Sequence, residues 1–189
     1  MGLRSAAMSV LAGPLFAAAL LLGAAGVRKV ADPGPTRIAL RTAGLPSAGW
    51  TARLIGLGEV TIAAATLAVG GPITAAAIAA AYLAFALFTR QVITKGGRRA
   101  SCGCFGASDT PVSRWHVGVD LVIAGVAALA VAWPPDGIVA VARDTPAAGI
   151  PFLVSVVLLA ALLQALLTAL PDVWAAANPP RRSIRSTLR

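Results

Sequence analysis

The sequence predicts an all-α, polytopic transmembrane helical bundle, and three observations predict it. Of 189 residues, 58% are hydrophobic and only 12% are charged, about half the charged share of an ordinary soluble domain. The mean hydropathy is +0.82. Five apolar runs of 17 to 21 residues punctuate the chain, each close to the ~20 residues a helix needs to cross the hydrocarbon. Aromatics are only 5%, while alanine and glycine are abundant, a composition suited to close helix packing through small side chains.

The first run extends from Met8 to Val27 and ends on Arg28 and Lys29. Ala24, Ala25 and Gly26 could serve a signal-peptide cleavage, but the stretch is long and the basic pair reads as a stop-transfer flank. The second run, Leu54 to Gly70, and the third, Ile73 to Thr89, are separated by Gly70, Gly71 and Pro72. Such residues stop one helix and start the next, so a tight helical hairpin is expected. The fourth run is Val117 to Trp133 and the fifth Ile150 to Leu170.

The charge distribution sets an expected orientation. Sixteen Lys and Arg stand against seven Asp and Glu, net +9. An aromatic-interleaved basic face or a basic helix that would read nucleic acid is missing, so no nucleic-acid partner is expected. Instead, the cations lie between the spans. The loop after the first span holds five, the loop after the third span five, and the C-terminal tail four, whereas the opposite side holds only Arg4 and Arg143. The positive-inside rule then puts the N-terminus outside, and the C-terminus and the loop after the third span in the cytosol. A multi-pass protein of the cell membrane, solvated by lipid, is expected.

Two acids, Glu59 and Asp120, fall within apolar runs. A carboxylate in hydrocarbon is costly and marks a candidate site. Both are expected one to two turns from the cytosolic ends of their helices, the half of the bilayer that also holds Gln164. Pairing of Glu59 with Lys29 or Arg28 would offset part of the desolvation of both. That pair either fixes helix register or tunes the chemistry of the neighbouring loop. Asp120 either complements the dipole of a helix N-terminus or belongs to the same site.

The two cysteines, Cys102 and Cys104, stand in Ser-Cys-Gly-Cys-Phe-Gly. A disulfide across one intervening residue closes a small, strained ring, which favours exchange over stapling. Lys95, Arg98, Arg99 and Arg114 flank the pair, and nearby cations favour the thiolate that attacks another disulfide. Inert cysteines or a metal site are the alternatives. With Asp109 and the single histidine, His116, the thiols make a thin ligand set for a metal, and none is expected. His116, beside Trp115, is either an interfacial anchor or a proton donor and acceptor for the thiols.

Together these stretches resemble the MauE methylamine-utilisation family, within the wider DoxX-like group of small membrane proteins. The resemblance is carried by LLLGAAGVRKVADP at the end of the first span, by LIGLGEVTIAAATLAVGG with its acid Glu59, and most specifically by SCGCFG followed by Ser113-Arg114-Trp115-His116. Where that pattern has a basic residue and then Asn, this chain has Val119-Asp120. The resemblance spans a four-helix core, 8–133. Residues 134–189 add a fifth helix, about 150–170, and a basic tail. Such proteins are implied to assist disulfide formation or maturation of an exported protein, in the type case the small subunit of methylamine dehydrogenase. Carried over by position, the redox pair is Cys102 and Cys104, with Glu59 the intramembrane acid and Lys29, Arg28, His116 and Asp120 in supporting places.

The expected cytosolic dithiol and an exported client lie on opposite faces. Either the loop hands electrons to a quinone or a membrane partner, or it meets a cytosolic thioredoxin-like carrier, or the topology is inverted. A rival reading is a non-catalytic assembly factor that binds a partner subunit through its helices. A transporter finds little support, since paired broken helices are not evident.

Overall fold

The computed structural model describes residues 3–96, 113–144 and 149–177. Seven helices make up the described residues: α1 (Leu3–Ala31), α2 (Gly34–Thr42), α3 (Gly49–Ala68), α4 (Pro72–Gly96), α5 (Arg114–Ala132), α6 (Ile138–Asp144) and α7 (Gly149–Ala177). Five of them, α1, α3, α4, α5 and α7, are long and apolar enough to cross a membrane. The five expected spans are therefore present, with shifted ends: α1, α4 and α7 are longer than expected, while α3 and α5 start earlier and stop at Ala68 and Ala132. The protein is an all-α polytopic bundle.

α1 is the central helix. Leu15, Phe16, Ala17, Ala19, Leu22 and Ala25 are at most 2% exposed, and α1 packs against α3, α4, α5, α6 and α7. Loss of this segment as a leader would remove the middle of the core. α7 lies against α1 through Val156, packed with Ala12 and Phe16, and through Ala160, packed with Ala17 and Leu21. Phe16 and Phe152 meet edge to face at 6.2 Å. The fifth span is thus part of the same bundle as the other four. Large side chains on the outer faces, such as Ile150, Leu158 and Val122, are exposed to what is lipid in a membrane.

Gly70 and Gly71 turn the chain between α3 and α4 with φ of 69° and 90°, a region glycine enters without steric cost. Pro72 then opens α4, where its missing N–H is no loss. The turn is closed from outside, since Gly71 N–H donates to the Pro135 carbonyl at 2.9 Å and Gly70 bridges Asp136. The expected hairpin turn is present, but its two helices are not each other's main partners. α4 packs chiefly along α5 and α3 chiefly along α1. The α4–α5 seam is built from Ala75, Ile78 and Tyr82 against Val119, Ile123, Ala127 and Ala130.

Two short helices lie where connections were expected. α2 links α1 to α3 at one end of the bundle, and α6 precedes α7 at the other. The alternation leaves the N-terminal end of α1, the Gly70–Gly71 turn and α6 at one end. The α2 connection, the end of α4, the start of α5 and the end of α7 share the other.

Candidate functional site

The closest helix approach in this half of the bundle is made by glycines. A Cβ on Gly26 would stand 2.6 Å from the Gly56 carbonyl oxygen, and a Cβ on Gly56 would stand 2.6 Å from that of Gly26. One turn toward the α2 end from Gly26 is Lys29, and one turn along α3 from Gly56 is Glu59. Residues three apart share a helix face, so the glycine contact aims these two side chains at each other.

They meet as a buried ion pair. Lys29 Nζ donates to Glu59 Oε2 at 2.7 Å, with the two side chains 3% and 5% exposed. Of the two cations considered for Glu59, Lys29 is the partner, while Arg28, the residue before it, is exposed. The ammonium also stands 5.1 Å from the centre of the Phe85 ring, a cation–π distance that replaces part of its lost hydration. Phe85 in turn meets Tyr82 edge to face at 5.7 Å, and Tyr82 Oη donates to the Ala18 carbonyl at 2.8 Å. One carboxylate oxygen, Glu59 Oε1, is buried with no hydrogen-bond partner among the described residues.

Glu59 is deeper in its helix than expected. α3 starts at Gly49, ten residues earlier, which is about 15 Å of helix. The apolar run begins only at Leu54, so the sequence hid the first five residues of the helix, about one and a half turns. The depth of the pair is set by α1, where Lys29 lies two residues from the last, Ala31. Gln164 is likewise more than three turns from the end of α7 at Ala177, not two.

The second cluster is on α5. His116 and Asp120 are one turn apart on one face and are 7% and 8% exposed. Asp120 thus sits in the second turn and faces the bundle. Ser113 precedes the helix, its N–H donating to His116 Nδ1 at 3.3 Å, with its Oγ 3.1 Å from the same nitrogen. Histidine here takes the place that Glu or Gln holds in a capping box. With Nδ1 accepting, the neutral ring carries its proton on Nε2, and the ring is also in hydrogen-bonding reach of the Leu167 backbone on α7. His116, expected as an interfacial anchor or a proton carrier, caps the start of α5 through Ser113. Trp115 beside it is 48% exposed.

Cys102 and Cys104 lie outside the described residues, as does Asp109. Both ends of their loop are nevertheless fixed. At the α4 end, Lys95 Nζ and Gln91 Nε2 both donate to the Ala43 carbonyl, at 2.8 and 2.7 Å. Lys95, expected to bias the thiols, therefore spends its ammonium on the C-terminal end of α2, where a cation also complements the helix dipole. At the α5 end, the Ser113–His116 cap holds the chain.

Among the described residues no three His, Cys, Asp or Glu side chains come together as a metal site. Sequence reasoning missed Tyr82, Phe85, Gln91 and the reciprocal glycines. The repeated Gly-x-x-charge spacing, Gly26 to Lys29 and Gly56 to Glu59, was the signal available for the last of these.

No curated protein and no solved structure matches the chain at a significant level. The model of one family, the methylamine utilisation protein MauE, matches residues 6–134, which covers α1 to α5 and the Cys-Gly-Cys loop. On that match, the chain is a member of the MauE family.

Proposed function

We propose that this protein is a membrane thiol–disulfide redox factor that assists disulfide formation or maturation of an exported protein, with Cys102 and Cys104 as the exchanging pair. The observation that carries the reading is the Ser101–Gly106 motif itself, two thiols one residue apart on a loop held at both ends. Lys95 fastens α4 to α2, and His116 caps the start of α5 through Ser113. The family match adds a role in methylamine utilisation, and a subunit of methylamine dehydrogenase is the client class this implies.

In the exchange, one thiolate attacks a disulfide of the partner and forms a mixed disulfide, releasing the partner's other sulfur as thiolate. The second cysteine attacks the mixed bond, which closes Cys102–Cys104 and leaves the partner dithiol. The partner has gained two electrons and the pair has lost them. Run in reverse, the same steps put a disulfide into the client. The pair is reset by a thioredoxin-like partner or by a quinone in the bilayer. The cation count supports an orientation with the loop, the C-terminus and the Lys29–Glu59 pair toward the cytosol and the N-terminus outside. Arg28, Lys29, Glu59, His116 and Asp120 are the supporting residues in this reading.

A second reading, a non-catalytic assembly factor, is favoured by the fact that Lys29 and Glu59 engage each other and His116 engages a helix end. Trapping separates the two. Cys104→Ser and Cys102→Ser, each expressed in cells, should accumulate a mixed disulfide on the remaining cysteine, identifiable by mass spectrometry after thiol blocking. Normal client maturation in a Cys102→Ser/Cys104→Ser double variant would end the redox reading and leave the assembly role.

A further inference from the structure

α2 is an unusual connection. Its nine residues extend about 13 Å, too short to span, yet one face is built into the bundle. Thr36, Ala39 and Leu40 are buried, and the helix end is clamped by the two α4 side chains on the Ala43 carbonyl. The opposite face carries Arg37, Ile38 and Arg41, all exposed. Arg37 and Arg41 are four residues apart, hence on one side of the helix about 6 Å from each other along its axis. Arg37 Nε donates to the Ser47 carbonyl at 3.1 Å, which holds that guanidinium against the α2–α3 turn. The Arg41 side chain has no polar partner among the described residues.

Two exposed arginines alone would suit any anion. The apolar residues between and beside them select a membrane. Ile38, 63% exposed, sits among the arginines, and Trp50, 66% exposed, opens α3. Trp115 is 48% exposed at the start of α5, on the same end of the bundle. Tryptophans at helix ends mark the headgroup layer, and α2 lies at that end. An aliphatic side chain exposed between cations is the pattern of a helix lying in the interface, apolar residue toward the acyl chains and cations toward phosphate. The one acid between residues 31 and 52, Asp32, accepts the Gly34 N–H at 3.0 Å.

We propose that α2 is a built-in binding surface for anionic phospholipid head groups, with Arg37 and Arg41 holding phosphate and Ile38 and Trp50 seated in the adjoining layer. The surface goes beyond the redox reading and does not depend on it, nor on which leaflet this end occupies.

The test uses the full chain, reconstituted in phosphatidylcholine vesicles that contain trace spin-labelled phosphatidylglycerol or spin-labelled phosphatidylcholine. The motionally restricted fraction of each label gives a relative affinity. Wild type should prefer phosphatidylglycerol, and 1 M salt should collapse the preference without any change of sequence. Arg37→Gln and Arg41→Gln should each weaken it by about fivefold. Arg37→Lys/Arg41→Lys should keep most of it, and Arg143→Gln, at the other end of the bundle, should leave it unchanged. Equal affinity for the two lipids in wild type, or an unaltered preference in the Arg37→Gln/Arg41→Gln chain, would overturn the proposal. So would displacement of phosphatidylglycerol by soluble poly-glutamate, which would mark the face as a site for an acidic protein.

Discussion

Gly26 and Gly56 face each other so closely that a methyl group on either would stand 2.6 Å from the carbonyl oxygen of the other. The contact is between backbones, which cannot yield as a flexible side chain would. In a bilayer, where apolar side chains gain little by leaving lipid for protein, such close approach is a main source of helix association. Gly26→Ala or Gly56→Ala should therefore push α1 from α3 and cost about 1–3 kcal/mol, the usual range for overpacking. Thermal unfolding in detergent micelles reads this out. An unchanged midpoint in both variants would mean the two helices are not held as described.

The same displacement should be felt at the ion pair one turn away. Lys29→Met leaves the Glu59 carboxylate buried without its cation, and breaking a buried pair typically costs about 3–5 kcal/mol. Lys29→Met/Glu59→Leu removes both charges and should be markedly milder. The coupling energy from this double-mutant cycle measures how far the pair acts on structure. If the double variant folds as well as wild type but no longer matures its client, the pair acts on the chemistry of the loop instead.

Tyr82 offers a smaller perturbation in the core. Its hydroxyl donates to the Ala18 carbonyl at 2.8 Å, from a side chain only 3% exposed. Tyr82→Phe removes the bond without changing shape. Hydrogen bonds between membrane helices average about 0.6 kcal/mol, with a ceiling near 1.7. A midpoint shift of a few degrees at most is expected, with the protein still monodisperse in gel filtration.

His116 separates anchoring from proton transfer. His116→Gln keeps a side-chain acceptor for the Ser113 N–H, as glutamine does in an ordinary capping box, but removes an imidazole. If His116 serves only to cap the start of α5, this variant should support thiol exchange at the wild-type rate across pH 6 to 8. A rate that loses its pH dependence in His116→Gln would show that the imidazole exchanges protons with the thiols.

Much of the bundle was legible in the sequence because hydrocarbon thickness leaves few options for a run of about 20 apolar residues. The partnership of Lys29 and Glu59 was legible for a related reason, since a carboxylate in that setting demands a cation. The packing order was not. α3, α4, α5 and α7 are apolar on all sides, so no stripe announces which face meets protein and which meets lipid. The Gly70–Gly71 turn consequently suggested α3 against α4, where α4 in fact lies along α5. α2 escaped notice because two prolines and two arginines in a short polar stretch read as loop. Its helical form is settled by tertiary anchors, Gln91 and Lys95 at Ala43, which lie some fifty residues away in the chain.

The central position of α1 bears on how the protein is made. Of the five spans, the first in the chain is the one whose faces are most completely occupied in the finished bundle. Until α3 arrives, Lys29 lacks the buried carboxylate it pairs with in the finished bundle, since Asp32, the nearer acid, is exposed beyond the end of α1. The Gly26–Gly56 seam can close as soon as α3 has emerged, because α2 is the only helix between them. An α1–α3 unit that pairs its own buried charges is thus the first association the chain order allows, ahead of the α4–α5 pair and α7.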